Sequence, residues 1–194
     1  MNLMLIGTVT SMLWNTLTPA VLQQSEVFAQ HMMANLELGQ QLLAQSSDWG
    51  KRATPVPLGG MLTLTQDNQQ FQLGVSEVLT GQAAIQKLTA LNSANPTVRK
   101  GYELVVMKLA LNYQVGDEEI PFKTPANLKV FSATGEQLKA KTVSVDAEYA
   151  FADTELYPGA SHQGYYALEI PKKIAGQIVL AYENGQKNVF FAVR

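Results

Sequence analysis

Cysteine is absent from the 194 residues. That excludes disulfides, thiolate metal sites, thiol catalysis and a lipid-modified N-terminal cysteine together, while leaving the compartment open. Charge is sparse and nearly balanced, with 14 Lys plus Arg against 16 Asp plus Glu and a formal net charge of -2. There is no basic footprint for a polyanion, so nucleic acid is not an expected partner. Histidine is almost missing: His31 and His162 stand alone, and two isolated histidines give no metal-ligand spacing. The first 25 residues carry no charge of either sign.

That uncharged start holds the apolar stretch "LMLIGTVTSMLW", of the length an export signal needs, and the first charge is Glu26. "VFA" follows directly and puts small or β-branched residues at the positions a signal peptidase reads, with a cut between Ala29 and Gln30. Residues 1–29 are therefore expected to be a signal peptide and the product to be secreted or extracellular, meeting the membrane only transiently through that segment. An uncleaved anchor is the competing reading. Against it stand Thr8, Thr10, Ser11, Asn15, Thr16 and Thr18, which make the run polar for a span. Residues 30–57 are rich in Gln and end in two prolines. They read as a linker, with a short helical patch through Phe28, Met32, Leu36 and Leu43 that Gly39 interrupts.

Beyond Pro57 the hydrophobic period becomes two. "MLTLTQ" (61–66) alternates. In "FQLGVSEVL" (71–79), Phe71, Leu73 and Val75 share a face until Glu77 breaks the pattern, which predicts a bulge near Ser76 that returns Val78 or Leu79 to the core. "GYELVVMKLALNY" (101–113) puts Val105, Met107, Leu109 and Leu111 on one side, with Tyr102, Lys108 and Asn112 on the other. Between them Ala84, Leu88 and Leu91 recur at helical spacing, as in a helix covering an open end of a sheet. Further strands are expected at 128–131, 141–145, 148–152, 165–170, 178–183 and 188–193, the last two around the hairpin signal "NGQK". Seven to nine strands separated by turn signals predict an all-β, two-sheet antiparallel sandwich over residues 58–194.

Five segments in order resemble the DUF4352 family of bacterial exported proteins and lipoproteins. They are "PLGGMLTLT", "VSEVLTGQAAI", "NPTVRKGYELVVMKLALNY", "LKVFSATGEQL" and "LYPGASHQGYYALEIP", followed by a final hairpin. The resemblance implies an immunoglobulin-like sandwich related to a mycobacterial secreted antigen. It also implies a non-enzymatic module that binds a protein or ligand of the cell envelope or exterior. In its terms Asn112 is where a strand gives way to a turn. Pro158-Gly159 bends the chain, and Gly164 lets it rejoin the sheet beside a neighbouring backbone. The resemblance carries no catalytic set, and the lipidated cysteine of its lipoprotein members is missing here.

Chemistry searched for in the residues themselves is thin. "GASHQG" misses the nucleophile elbow by one residue and is followed by a strand. Ser161 and His162 are also neighbours in extended chain, where successive side chains point apart, so a structural turn is expected. Asp117, Glu118 and Glu119, and the looser set Asp146, Glu148, Asp153 and Glu155, lack the converging oxygens of a calcium loop and read as solvated rims. Neither a metal nor another cofactor is expected, and the sequence assigns no binding residues. Tyr102, Tyr157, Tyr165 and Tyr166 leave two readings open: exposed aromatics for a protein or glycan contact, or cross-strand packing. An enzyme or enzyme accessory acting on cell-wall material, and a structural spacer, remain the alternative functions.

Overall fold

The computed structural model describes residues 48–94, 97–172, 178–185 and 187–194. The expected signal segment, its cut after Ala29 and the helical patch of the linker lie outside them. The compact unit begins at Asp48, so Asp48–Pro57 takes part in the fold: Val56 is buried and forms a parallel bridge to Phe191.

The elements are β1 (Met61–Gln66), β2 (Gln69–Thr80), α1 (Gly81–Leu91), β3 (Tyr102–Val115), β4 (Phe122–Lys123), β5 (Lys129–Ser132), β6 (Lys141–Val143), β7 (Glu155–Leu156), β8 (Ser161–Pro171), β9 (Ile178–Asn184) and β10 (Lys187–Ala192). They form a five-stranded sheet of order β1-β2-β3-β8-β6, a three-stranded sheet β10-β9-β5 and a two-stranded pair β4-β7. All strand pairings are antiparallel. The architecture is the expected β-sandwich, with ten strands among the described residues rather than seven to nine because β4 and β7, of two residues each, carry no readable alternation.

The alternation of β3 assigns the faces as expected. Val105, Met107, Leu109 and Leu111 enter the main core, where they meet Val130 of β5, Ile178 and Leu180 of β9 and Phe191 of β10. Each such side chain contributes about 1.5–3 kcal/mol of transfer free energy on burial. Phe71, Tyr113, Phe122 and Tyr182 close one end of this core, with Phe71 and Phe122 ring centroids 4.8 Å apart and Tyr113 and Phe122 5.2 Å apart. The bulge falls at Ser76: the β2–β3 register passes from Val75↔Leu109 to Glu77↔Lys108, and the Ser76 hydroxyl donates to the Lys108 carbonyl at 3.2 Å. Val78 then packs on the main core and Leu79 on a second one.

That second core corrects the expected place of the helix. Rather than plugging a sheet end, α1 lies on the outer face of the five-stranded sheet, with Ala84, Leu88 and Leu91 against Leu104, Val106 and Ala167. The alternate residues Leu104 and Val106 of β3 are apolar for this reason, and the strand is buried on both faces from Leu104 to Met107. No side chain caps the start of α1 and its first turn holds no acid, so packing rather than end chemistry holds this short helix.

Three further expectations are revised. Residues 148–152 form a turn and a bridge, with Ala150 pairing parallel to Tyr165, and are not a strand. β3 runs on to Val115, and Asn112 marks only the end of its ladder with β8, opposite Ser161. The last hairpin forms one residue later than the Asn-Gly signal suggests: Asn184 is the closing pair opposite Lys187, and Gly185, with φ 60°, is in the turn.

Candidate functional site

Two segments meet the same edge of β8 from opposite directions. β6 runs antiparallel to it, pairing Val143 with Ala167, and the chain at Ala150 runs parallel to it, bridging Tyr165. Between them lies a cleft of about 460 Å3, within the ~300–1,000 Å3 range of small-ligand sites.

Each wall is held by a buried polar residue. Asn92, at the end of α1, donates its amide to the Ser144 carbonyl at 2.5 Å and accepts from the Ala94 amide at 2.8 Å. The Asp146 amide donates to the Leu91 carbonyl at 2.8 Å, and the Asp146 carboxylate accepts from the Ser93 amide at 3.0 Å. The helix end therefore fixes segment 144–146. On the other wall Thr124 donates its hydroxyl to the Phe151 carbonyl at 2.6 Å and accepts from the Thr154 amide at 2.8 Å. Asp153, between them, takes a left-handed φ of 61°, a conformation that Asp tolerates better than most side chains.

Gly164 makes the second wall geometrically feasible. A methyl group at this position would stand 2.5 Å from the Phe151 nitrogen and 2.6 Å from the Ala150 carbonyl carbon. Only glycine admits that approach, which is the role the sequence resemblance implied. The turn before β8 is likewise as expected: the Ala160 amide donates to the Tyr157 carbonyl at 3.0 Å, and Gly159 takes φ 87°, the geometry of a type II turn.

The floor is Tyr166. Its hydroxyl donates to the Ala126 carbonyl at 2.8 Å, accepts from the Leu128 amide at 3.3 Å and lies 3.4 Å from the Thr142 hydroxyl. Around it the lining combines alanines, Val143, Val145 and Tyr165 with the hydroxyls of Thr142, Ser144 and Thr154 and one carboxylate, Asp153. The cleft contains no cationic side chain. With one carboxylate and no cation the lining disfavours an anion, and its hydroxyls and apolar surfaces suit hydrogen bonding to a ligand without negative charge.

The sequence-predicted residues fall mostly into structural roles. Ser161 is exposed. His162 stacks on Phe151 at 5.8 Å, with Nε2 3.1 Å from the Ala150 carbonyl and 3.3 Å from the Thr154 hydroxyl. A carbonyl only accepts, so Nε2 carries the proton and His162 braces the cleft wall rather than serving Ser161. Asp117 accepts from the amides of Glu119 and Ile120 at 2.7 and 3.2 Å, as a turn-forming residue does. Among the described residues no three of His, Asp and Glu converge as metal ligands would.

The tyrosines divide. Tyr166 is in the core. Tyr165 lies half-buried in the second core with the Lys87 ammonium 4.4 Å from its ring, and the Arg99 guanidinium covers Tyr102 at 3.9 Å. Each pairs with a cation instead of with another ring, so neither open reading anticipated the contact. Tyr157 is half exposed. The pairing of buried Glu169 with exposed Arg99 went unrecognised in the sequence. Both the side chain and the backbone amide of Arg99 donate to the Glu169 carboxylate, the latter at 3.0 Å. Burial pushes that carboxyl up, but the hydrogen bonds and charge of Arg99, with Lys141, outweigh it and hold it below the usual range. Its position within an alternating strand gave no warning, because the partner lies 70 residues away.

Among the described residues no helix is long and apolar enough to cross a membrane. No family model matches the chain, and no curated protein matches it. The expected membership of the DUF4352 family is thus not supported by a family match. Among solved structures the chain is similar to a secreted protein of Mycobacterium tuberculosis, MPT63, known from a crystal structure at 1.5 Å resolution. The identity is 14%, the match covers 72% of this chain and 98% of that one, and the TM-score is 0.48.

Proposed function

We propose that this chain is an exported, non-catalytic binding domain whose ligand is an uncharged small molecule, or the uncharged end of a larger envelope component, seated in the cleft between residues 142–147 and 150–154. The observation that carries the reading is the lining: hydroxyls, alanines, two valines and a tyrosine ring around one carboxylate, on walls fixed by Asn92, Thr124 and Gly164. A preformed cleft costs little ordering on binding. The assignment as non-catalytic is supported by the commitment of His162 to the cleft wall and of Glu169 to Arg99. Export is supported by the signal-like N-terminus.

The binding test is titration of the isotope-labelled 194-residue chain with neutral monosaccharides and with end-blocked dipeptides. One of the two sets should shift amide resonances clustered at Ser144–Ala147 and Ala150–Thr154. Ala147→Trp, which places a large ring at the mouth, should abolish those shifts. Shifts scattered elsewhere, no shifts from either set, or shifts that survive Ala147→Trp would overturn the reading. Export is checked separately by mass spectrometry of the protein from a bacterial host: a product beginning at Gln30 outside the cell is expected, and an uncut cytoplasmic chain counts against it.

A further inference from the structure

The edges of β10 and β5, and that of β8 beyond β6, are closed by backbone of the same chain. Along β10, the Phe190 amide donates to Gly50, the Val56 amide to Phe190 and the Ala192 amide to Val56, each at 2.9 Å. Along β5, the Ser132 amide donates to Glu136 at 2.9 Å and the Leu138 amide to Val130 at 2.8 Å. Past the short β6, Tyr165 donates to Tyr149 at 2.7 Å and accepts from Phe151 at 3.0 Å.

The outer edge of β1 differs. Asp67 and Asn68, with φ 48° and 64°, form a two-residue hairpin turn, and Gln66↔Gln69 is the pair that closes it. Positive φ at both central residues marks the type I′ turn, whose closing pair exchanges both hydrogen bonds. Alternation along an antiparallel ladder then turns the backbone groups of Gln66, Leu64 and Leu62 toward β2, and those of Thr65, Thr63 and Met61 outward. These three outward residues meet no backbone partner among the described residues. The edge also lacks the usual protections, since "MLTLTQ" holds no charge and no proline, and its register with β2 has no bulge. The adjoining outer face is neutral too: the Gln72 amide reaches the Thr63 hydroxyl at 3.4 Å, the Asn112 amide reaches Gln72 at 3.4 Å, and Ser161 follows opposite Asn112.

We propose that β1 pairs antiparallel with β1 of a second copy of this chain, about a two-fold axis at Thr63. A two-fold sets a strand against itself, so any charged residue near the axis meets its like. A strand without charge escapes that penalty, and nothing on this edge selects an acidic or basic foreign peptide. The register opposes Thr63 to Thr63 and Met61 to Thr65 on the outer face, and Leu62 to Leu64 on the core face. Thr63 therefore meets Thr63 and leucine meets leucine, Met61 lies beside uncharged Thr65, and all three outward residues gain partners, about six hydrogen bonds in total. The two five-stranded sheets become one continuous sheet.

The test is sedimentation velocity of the 194-residue chain over a concentration series, with circular dichroism and thermal unfolding to verify that each variant is folded. The parent should show concentration-dependent dimers. Thr63→Lys and Thr63→Glu should each weaken dimerisation at least about tenfold, since like charges then face each other across the axis. An equimolar mixture of the two variants should regain it as a mixed dimer. The proposal is overturned by a parent that stays monomeric, by dimers that persist in both single variants, or by a mixture that fails to associate.

Discussion

Replacing Gly164 with alanine tests how the cleft wall is attached to β8. The added methyl would lie 2.5 Å from the Phe151 nitrogen and 2.6 Å from both carbonyl atoms of Ala150. Non-bonded carbons rest ~3.5–4.0 Å apart, so one backbone must move by about 1 Å. Neither neighbour is a flexible side-chain tip, and β8 is held on its far side by the pairing of Gly164 with Leu109. The segment 149–151 is therefore expected to lift, weakening the Tyr165-to-Tyr149 and Phe151-to-Tyr165 bonds of 2.7 and 3.0 Å. Overpacking costs about 1–3 kcal/mol, and two hydrogen bonds add about 1 kcal/mol each. Restricting the unfolded chain returns about 0.4–1 kcal/mol. The net expectation is a loss of about 2–4 kcal/mol in urea unfolding, or about 5–15 °C in Tm for a domain of this size. Gly159→Ala is the matched control. It has φ 87° but no heavy atom within 4 Å of the added group, so it carries conformational strain alone, about 1–2 kcal/mol. If Gly164→Ala costs no more than Gly159→Ala, the close approach is not what restricts this position to glycine.

The other expectations concern the polar groups around the site. Arg99→Met leaves the Glu169 carboxylate buried without its main partner and should cost about 1–3 kcal/mol at neutral pH, less than a fully buried pair because the guanidinium is 44% exposed. Because the folded-state pKa of Glu169 lies below its ordinary value of 4.5, the pair stabilises the fold above that pH and the contribution is lost as pH falls through the folded value. Urea unfolding between about pH 3 and 7 should show this acid loss in the parent and a flattened or reversed one in Arg99→Met; an unchanged profile would contradict the assignment. Ser161→Ala should stay within about 0.5 kcal/mol of the parent, as exposed substitutions do. His162→Ala should cost about 1–2 kcal/mol through its lost stacking and hydrogen bond. Equal effects of the two changes in thermal unfolding would refute the separation of their roles.

Much of the sandwich was legible because burial on one face imposes a period of two. β1, β2 and β9 fall close to their expected positions, and the bulge at Ser76 could be read from a single polar interruption at Glu77. The helix was equally legible through Ala84, Leu88 and Leu91, but its position was not. Helical spacing reports that a stripe is buried and does not report which surface buries it. The cause was written in the alternate residues of β3, Leu104 and Val106, whose apolar character required a second layer.

The candidate site was far less visible. Its parts are Asn92, Thr124, Thr142, Thr154 and Tyr166, scattered polar residues of kinds that also populate every turn. The segment Tyr149–Phe151 resembles a strand in composition, yet it joins β8 in the parallel sense through one bridge. By itself the sequence determined which residues must leave water and where the chain must turn, because hydrophobic periodicity and left-handed glycines act over a few neighbouring residues. Only the tertiary structure decided that two segments meet the edge of β8 around a cleft, that Glu169 finds Arg99, and that the edge of β1 meets no backbone partner among the described residues, because each depends on groups brought together from distant parts of the chain.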